Sequence, residues 1–366
     1  MSADMNSCAI YSDIVRNKYF RHVDKSRLVY FNGADLDRFL SCDAVHKIAV
    51  IEVKYSDIRM TVELLDKILH CDHVFVYSME FTKVIVEPII KKYDRLNFTF
   101  VVNGFANFEM QKAKIIPIWT WLQYTASLYL DQLSHELDLL LPFANKPMEF
   151  DVMVGRYRTH RKFVVDWIKN SESSTRYFQT PFFDLKLGVP SENYHVDNLD
   201  YWEDGIIMHP PDRPNTYQCY YHGILMNISQ VLPVKIYNQT AYSLVCETEY
   251  SNDYTFFTEK TAKPIIACRL FVMIAGQYYL RNLRKIGFRT FDSVIDESYD
   301  LEPDPETRWK MALEQCDWLC KQDQRVILDK IKPTVLHNFN MLFKLSPVIL
   351  ENQVELFLLQ NGYYKK

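Results

Sequence analysis

From Lys47 onward the chain alternates short apolar runs with stretches whose apolar residues recur every three or four positions. Ile48 to Val53, His73 to Tyr77 and Phe98 to Val102 read as strands, with Asp57 to His70 and Thr82 to Tyr93 as helices between them. Asn103-Gly104 closes the third strand, and an earlier strand, Leu28 to Phe31, exits through Asn32-Gly33. Strands that read apolar throughout are buried on both faces, and strands separated by helices pair in parallel. Trp119 to Leu141 reads as one long apolar and aromatic helix interrupted by Pro142 and Pro147, which places the domain boundary there.

The alternation resumes beyond that boundary. Phe150 to Val154 reads as a strand, Gly155 to Lys162 as a basic turn, and the residues through Ile168 as a helix. Ser174 to Pro214 is long, polar and aromatic, with few regular signals. Val234 to Tyr237 and Tyr242 to Glu249 read as further strands. Leu270 to Gly276 is a buried strand and turn, Tyr278 to Ile286 a helix closed by Gly287, and Phe288 to Ile295 extended. A helix then spans Thr307 to Ile331, stopped by Pro333, and two apolar helical stretches follow Asn340. Two successive strand and helix alternations predict an α/β protein of two Rossmann-like domains facing across a cleft, at 1–146 and 147–337.

Composition narrows the picture only a little. In 366 residues, 48% hydrophobic and 14% aromatic content is ample for two cores, and neither glycine nor proline is concentrated into a linker. A net charge of −4 gives no global basic field, so nucleic-acid binding would need a local patch. The eight cysteines lack paired Cys-x-x-Cys spacing and read as reduced thiols. The polar stretch Met1 to Ala9 and the absence of an apolar run near ~18 residues predict a cytoplasmic protein without a leader or membrane span.

The candidate chemistry centres on Asp253 to Ala267. Thr258 is placed to cap a helix, Glu259 favours its positive end, and Lys260 with the exposed N–H groups suits a phosphate. An ordinary surface ion pair is the plain alternative. The Gly155 turn, with Arg156, Arg158, His160, Arg161 and Lys162 entering a helix, is a second arrangement suited to a diphosphate, or else a solvated basic face.

These segments, with Thr-Glu-Lys-Thr at 258–261, Tyr279 to Phe291 and Asp296-Glu-Ser-Tyr-Asp300, resemble the donor-binding half of a glycosyltransferase group common in bacteriophages. That group is distantly similar to the fucosyltransferases. The resemblance runs in pieces from about Asp151 to Asn338, and the first ~145 residues carry no family motif. It implies a GT-B-like fold whose C-terminal helices, 338–366, pack back on the first domain. It implies a nucleotide-sugar donor, UDP-sugar expected, bound by Arg156, Arg158, His160, Arg161, Thr258, Glu259 and Lys260. The Glu247 of Ser-Leu-Val-x-Glu-Thr would face the donor pocket.

The same resemblance implies transfer of glucose or arabinose to hydroxymethylcytosine in phage DNA. A cell-surface glycan or lipopolysaccharide acceptor with a GDP-sugar is the alternative, and a degenerate, non-catalytic binding fold is the third. The segments that carry the resemblance contain no Asp-x-Asp, so cations and helix N-termini are expected to replace a metal, and no cofactor is expected. An acceptor-side base would come from Asp57, Glu80 or Glu109, among which nothing selects, with Asp57 taken forward. Lys162, Arg281, Arg284, Lys285 and Arg289 are candidates for a DNA-facing stripe, with Trp119, Trp121 and Tyr124 available to stack or wedge. His337 in the His-Asn pair reads as a hydrogen-bonded helix-end histidine rather than a catalytic one.

Overall fold

The computed structural model describes residues 28–30, 48–53, 65–69, 71–78, 81–131, 133–155, 157–179, 207–208, 218–221, 224–227 and 231–345. The chain divides into two compact units, Met1–Thr120 with Asp253–Phe256 and Leu345–Lys366, and Trp121–Asn252 with Phe257–Lys344.

In the first unit, β1 (Leu28–Tyr30), β2 (Ile48–Val53), β3 (His73–Ser78), β4 (Phe98–Asn103) and β6 (Ala113–Ile118) form one sheet in the order β1-β2-β3-β4-β6. All neighbours are parallel, so the sheet is laid down strand by strand in one direction. β4 is buried along its whole length, as its apolar run predicts. Pro117 lies on the edge strand β6, where its missing N–H does least harm. Helix α1 (Lys83–Lys92), with Thr82 and Tyr93 at its cap positions, joins β3 to β4 within the span the sequence pattern predicts. It buries Val86 and Ile89 and turns Val84 outward. A short β5 (Phe105–Ala106) pairs antiparallel with β13 (Tyr254–Thr255).

The second unit contains α2 (Thr120–Asp131, its first residue in the first unit), α3 (Ser134–Asp138), β7 (Met148–Val152), α4 (Thr159–Asn170), β8 (Tyr177–Gln179), a small antiparallel sheet of β9 (Ile207–Met208), β10 (Gln218–Tyr221) and β11 (Ile224–Asn227), α5 (Val234–Gln239), β12 (Thr240–Cys246), α6 (Glu259–Ile266), β14 (Phe271–Ile274), α7 (Tyr279–Lys285), α8 (Pro305–Leu319) and α9 (Gln324–Lys344). Its main sheet has the order β14-β12-β7-β8, parallel throughout. From β7 the chain crosses through α4 to β8 on one side. From β12 it crosses through α6 to β14 on the other. The crossover direction therefore reverses between β7 and β12, which makes the crevice beyond their carboxyl ends a topological switch point.

Between the two central strands, Arg269 forms a buried ion pair at 2.8 Å with Asp151, the penultimate residue of β7, level with Ser243 midway along β12. It also donates to the carbonyls of Tyr237, Thr240 and Tyr242 and stacks on the Tyr237 ring. Its charge is thereby satisfied where water does not reach.

Several sequence expectations are corrected. Val234–Tyr237 begins a helix, not a strand, because a stretch of four residues after Pro233 fits either element, and Tyr237 N–H bonds Pro233 O. Trp119–Leu141 is two helices. Leu133 N–H reaches Leu128 O, five residues back, and Leu133 turns fully into the core. Thr307–Ile331 is also two helices, the second started by Asp323, whose carboxylate accepts from the amides of Arg325 and Val326. Pro333 lies inside α9 rather than ending it, since the buried stripe Ile327, Leu328, Ile331, Val335 and Leu342 carries the helix through. Residues 288–295 are turns, whose backbone groups side chains satisfy: Asn338 bonds both N–H and C=O of Arg289, and Glu297 accepts from Phe291 N–H. The helical stretches expected after Asn340 lie outside the described residues from 346 onward.

Candidate functional site

The loops that follow β7 and β12 bring together two segments about 100 residues apart in sequence. α4 begins with Arg158 at its cap position, His160 and Arg161 in its first turn, no acidic residue there and no capping side chain. α6 begins with Thr258, whose hydroxyl accepts from Lys260 N–H, followed by Glu259. The two helix starts meet at Glu247, directly after β12. Its backbone carbonyl accepts from His160 Nε2–H at 2.8 Å and from Arg161 at 3.4 Å.

Because that carbonyl only accepts, His160 donates a proton from Nε2. Burial, with Arg161 and then Arg158 and Lys260 adding, pushes its pKa down to about 3. Burial also lowers Arg161, with Arg158 adding and Glu247 and Glu259 opposing. These mutual effects place Arg158, His160, Arg161, Glu247, Glu259 and Lys260 in one electrostatic neighbourhood.

Glu259 and Lys260 pair at 2.6 Å, the carboxylate nearly buried and the ammonium about 28% exposed. Burial acts to raise the Glu259 pKa, but Lys260 and then Lys263 outweigh it and hold it below the ordinary carboxylate value. Adjacent residues on a helix do not normally face each other, so this pair between neighbours at the start of α6 is unusual. The loop after β14 approaches closely as well: a Cβ on Gly276 would sit 2.0 Å from Ser251 O, so only glycine fits.

Other candidates are placed as follows. Thr258 is buried and acts as the cap. Glu247 is fully buried, with its carboxylate taken up by internal hydrogen bonds rather than turned to a pocket. Lys162 is exposed and paired with Asp166. Arg284 donates to Glu297 at 2.8 Å and to Thr290. Arg281 stacks on Tyr278 at 3.6 Å, and Lys285 and Arg289 are exposed. Trp119 stacks against Phe105, Trp121 is buried, and Glu109 is exposed. His337, half-buried, donates through Nε2 to Gly287 O, fastening the helix end that Gly287 (φ +97°) closes. Asp57, Glu80 and Arg156 lie outside the described residues, as does most of Ser174–Pro214.

Sequence reasoning missed Thr261, Tyr279, Asp300 and Arg269. Thr261 was the most legible of them, since Thr258 and Thr261 stand three apart and share a helix face. Asp300 receives the amides of Leu280 and Arg281 and so caps α7 from a distance in sequence that no local pattern reveals.

A cavity of about 480 Å³, lined by residues including Phe163, Trp167, Ser171 and Asp317, opens between the far half of α4 and α8. It is not part of the cluster at the start of α4. Among the described residues there is no His, Cys, Asp and Glu group able to hold a metal, and no helix long and apolar enough to cross a membrane. No protein-family model, curated protein or solved structure matches the chain.

Proposed function

We propose that the protein is a glycosyltransferase that holds the diphosphate of a nucleotide sugar over the switch point between β7 and β12. One observation carries this reading: the start of α4, whose cap residue Arg158 makes no capping bond, lies in the field of Arg158, Arg161 and Lys260. A helix N-terminus already bears partial positive charge, and the cations around it, offset only in part by Glu247 and Glu259, favour a bound anion. Transfer of a sugar from a diphosphate develops negative charge on the leaving group, which these groups would stabilise without further reorganisation. Glu259, which accepts one hydrogen bond from Lys260, is the group to receive a hydroxyl of the ribose or sugar.

On this reading the two units form a GT-B-like pair, the second binding the donor and the first the acceptor. The resemblance of 258–300 to phage transferases supports hydroxymethylcytosine in DNA as acceptor, with a UDP-sugar as donor. A second reading, a glycan acceptor, is favoured by one observation: Lys162 and Arg284 are already paired with Asp166 and Glu297, which removes two cations from the expected DNA-facing stripe.

The test is incubation with a panel of UDP- and GDP-sugars together with hydroxymethylated duplex DNA or glycans, followed by mass analysis of each acceptor. Sugar mass on the DNA supports the first acceptor and sugar mass on the glycan the second. No transfer and no nucleotide-sugar hydrolysis with any donor would contradict the enzyme reading.

A further inference from the structure

Glu247 makes an unusual number of bonds for one buried residue. Its Oε1 accepts from Thr258 N–H at 3.3 Å, Thr261 Oγ1 at 2.7 Å and Tyr279 OH at 2.9 Å. Its Oε2 accepts from Thr258 Oγ1 at 2.6 Å and Thr248 N–H at 3.0 Å. Its carbonyl holds His160 and Arg161. The first turns of α4, α6 and α7 are thus all tied to one residue at the end of β12, and no carboxylate oxygen is left without donors for a substrate hydroxyl.

We infer that Glu247 is a positioning residue: it sets where Lys260 and the start of α6 stand relative to α4, and its carboxylate does not touch the ligand. This rests on the diphosphate reading of the site above. Its chemistry requires a carboxylate. In a glutamine, whichever oxygen becomes NH₂ would face a backbone N–H, of Thr258 or of Thr248, and a backbone N–H cannot reverse its role as a hydroxyl can. The negative charge also offsets that of buried Arg161.

The test is a double-mutant cycle on the affinity of the full-length protein for UDP, GDP and inorganic pyrophosphate. Glu247→Gln is expected to weaken binding about tenfold in the wild-type background and little in a Lys260→Ala background, because a residue that acts through Lys260 has nothing left to act on. Independent, multiplying effects of the two substitutions, or wild-type affinity in Glu247→Gln, would overturn the inference.

If Glu247→Gln does not fold, Tyr279→Phe, which removes one of the five carboxylate bonds, takes its place in the same cycle, with a loss of about threefold expected. Should the wild type bind none of the three ligands, the diphosphate reading fails. Amide hydrogen exchange then decides the positioning role by itself: faster exchange at Thr258 and Lys260 in Tyr279→Phe supports it, and unchanged exchange overturns it.

Discussion

The two parallel sheets are built from similar residues but treat the start of the helix after a central strand in opposite ways. In the first sheet, β3 leads into α1, and the amide of Lys83 is met by the Asp253 carboxylate at 2.7 Å. In the second, β7 leads into α4, where no side chain caps the first turn and the cap position is an arginine. Strand order differs as well: the first sheet runs β1-β2-β3-β4-β6 without reversal, whereas the second reverses between β7 and β12. One helix start is internally neutralised. The other stands at a switch point where Arg158, Arg161 and Lys260 outnumber the carboxylates Glu247 and Glu259, and that contrast is the physical basis for placing an anion there.

The largest expected effect separates the framework of the second sheet from its site. Arg269→Met leaves Asp151 buried without its partner and is expected to cost about 3–5 kcal/mol of stability, read from chemical denaturation.

Next come the cations. Arg161→Ala and Lys260→Ala are each expected to reduce transition-state stabilisation by about 2–4 kcal/mol, a loss of about 30- to 1000-fold in kcat/KM. Lys83→Ala, at the neutralised helix start, should change turnover less than about twofold, since its ammonium forms an exposed pair with Glu87.

A third prediction uses one histidine from each sheet. Burial lowers His73 to about 4, and burial with Arg161 lowers His160 to about 3. Above the ordinary histidine value of about 6.5 both states are neutral, so the contribution is intact. As pH falls below it the unfolded chain takes up protons that the folded protein refuses, and stability drops until the folded values are reached. Stability should therefore decline between about pH 6.5 and pH 4, by up to about 1.4 kcal/mol per pH unit per histidine. Flat stability over that window would show that the two rings are charged in the fold.

The smallest effect is local. Thr258→Ala removes the cap of α6 and is expected to cost about 1 kcal/mol, with faster amide exchange at Lys260. An equal loss of ligand affinity would sharpen the link between cap and site.

Much of this was legible in the sequence. Thr258 as cap, the strand after it, Gly287 as helix end and the basic start of α4 are local patterns, set within a few residues by propensity and capping. The role of Glu247 was not, because its donors Thr258, Thr261 and Tyr279 come from two later helices and only the fold assembles them. α5 was misread as a strand because four residues carry too little periodicity. The helix through Pro333 was missed because buried packing on both sides outweighed a local breaker. Asp300, Asp253 and Asn338 serve helix starts and turns far along the chain, and such partners leave no sequence signature.

The central claim is that the cation-rich start of α4 binds a diphosphate, and calorimetric titration of UDP and GDP into the wild type, Lys260→Ala and Lys83→Ala tests it most directly. The account predicts that a nucleoside diphosphate binds the wild type and Lys83→Ala alike and Lys260→Ala at least about tenfold more weakly. Absence of binding to the wild type, or equal affinity in all three proteins, would contradict it.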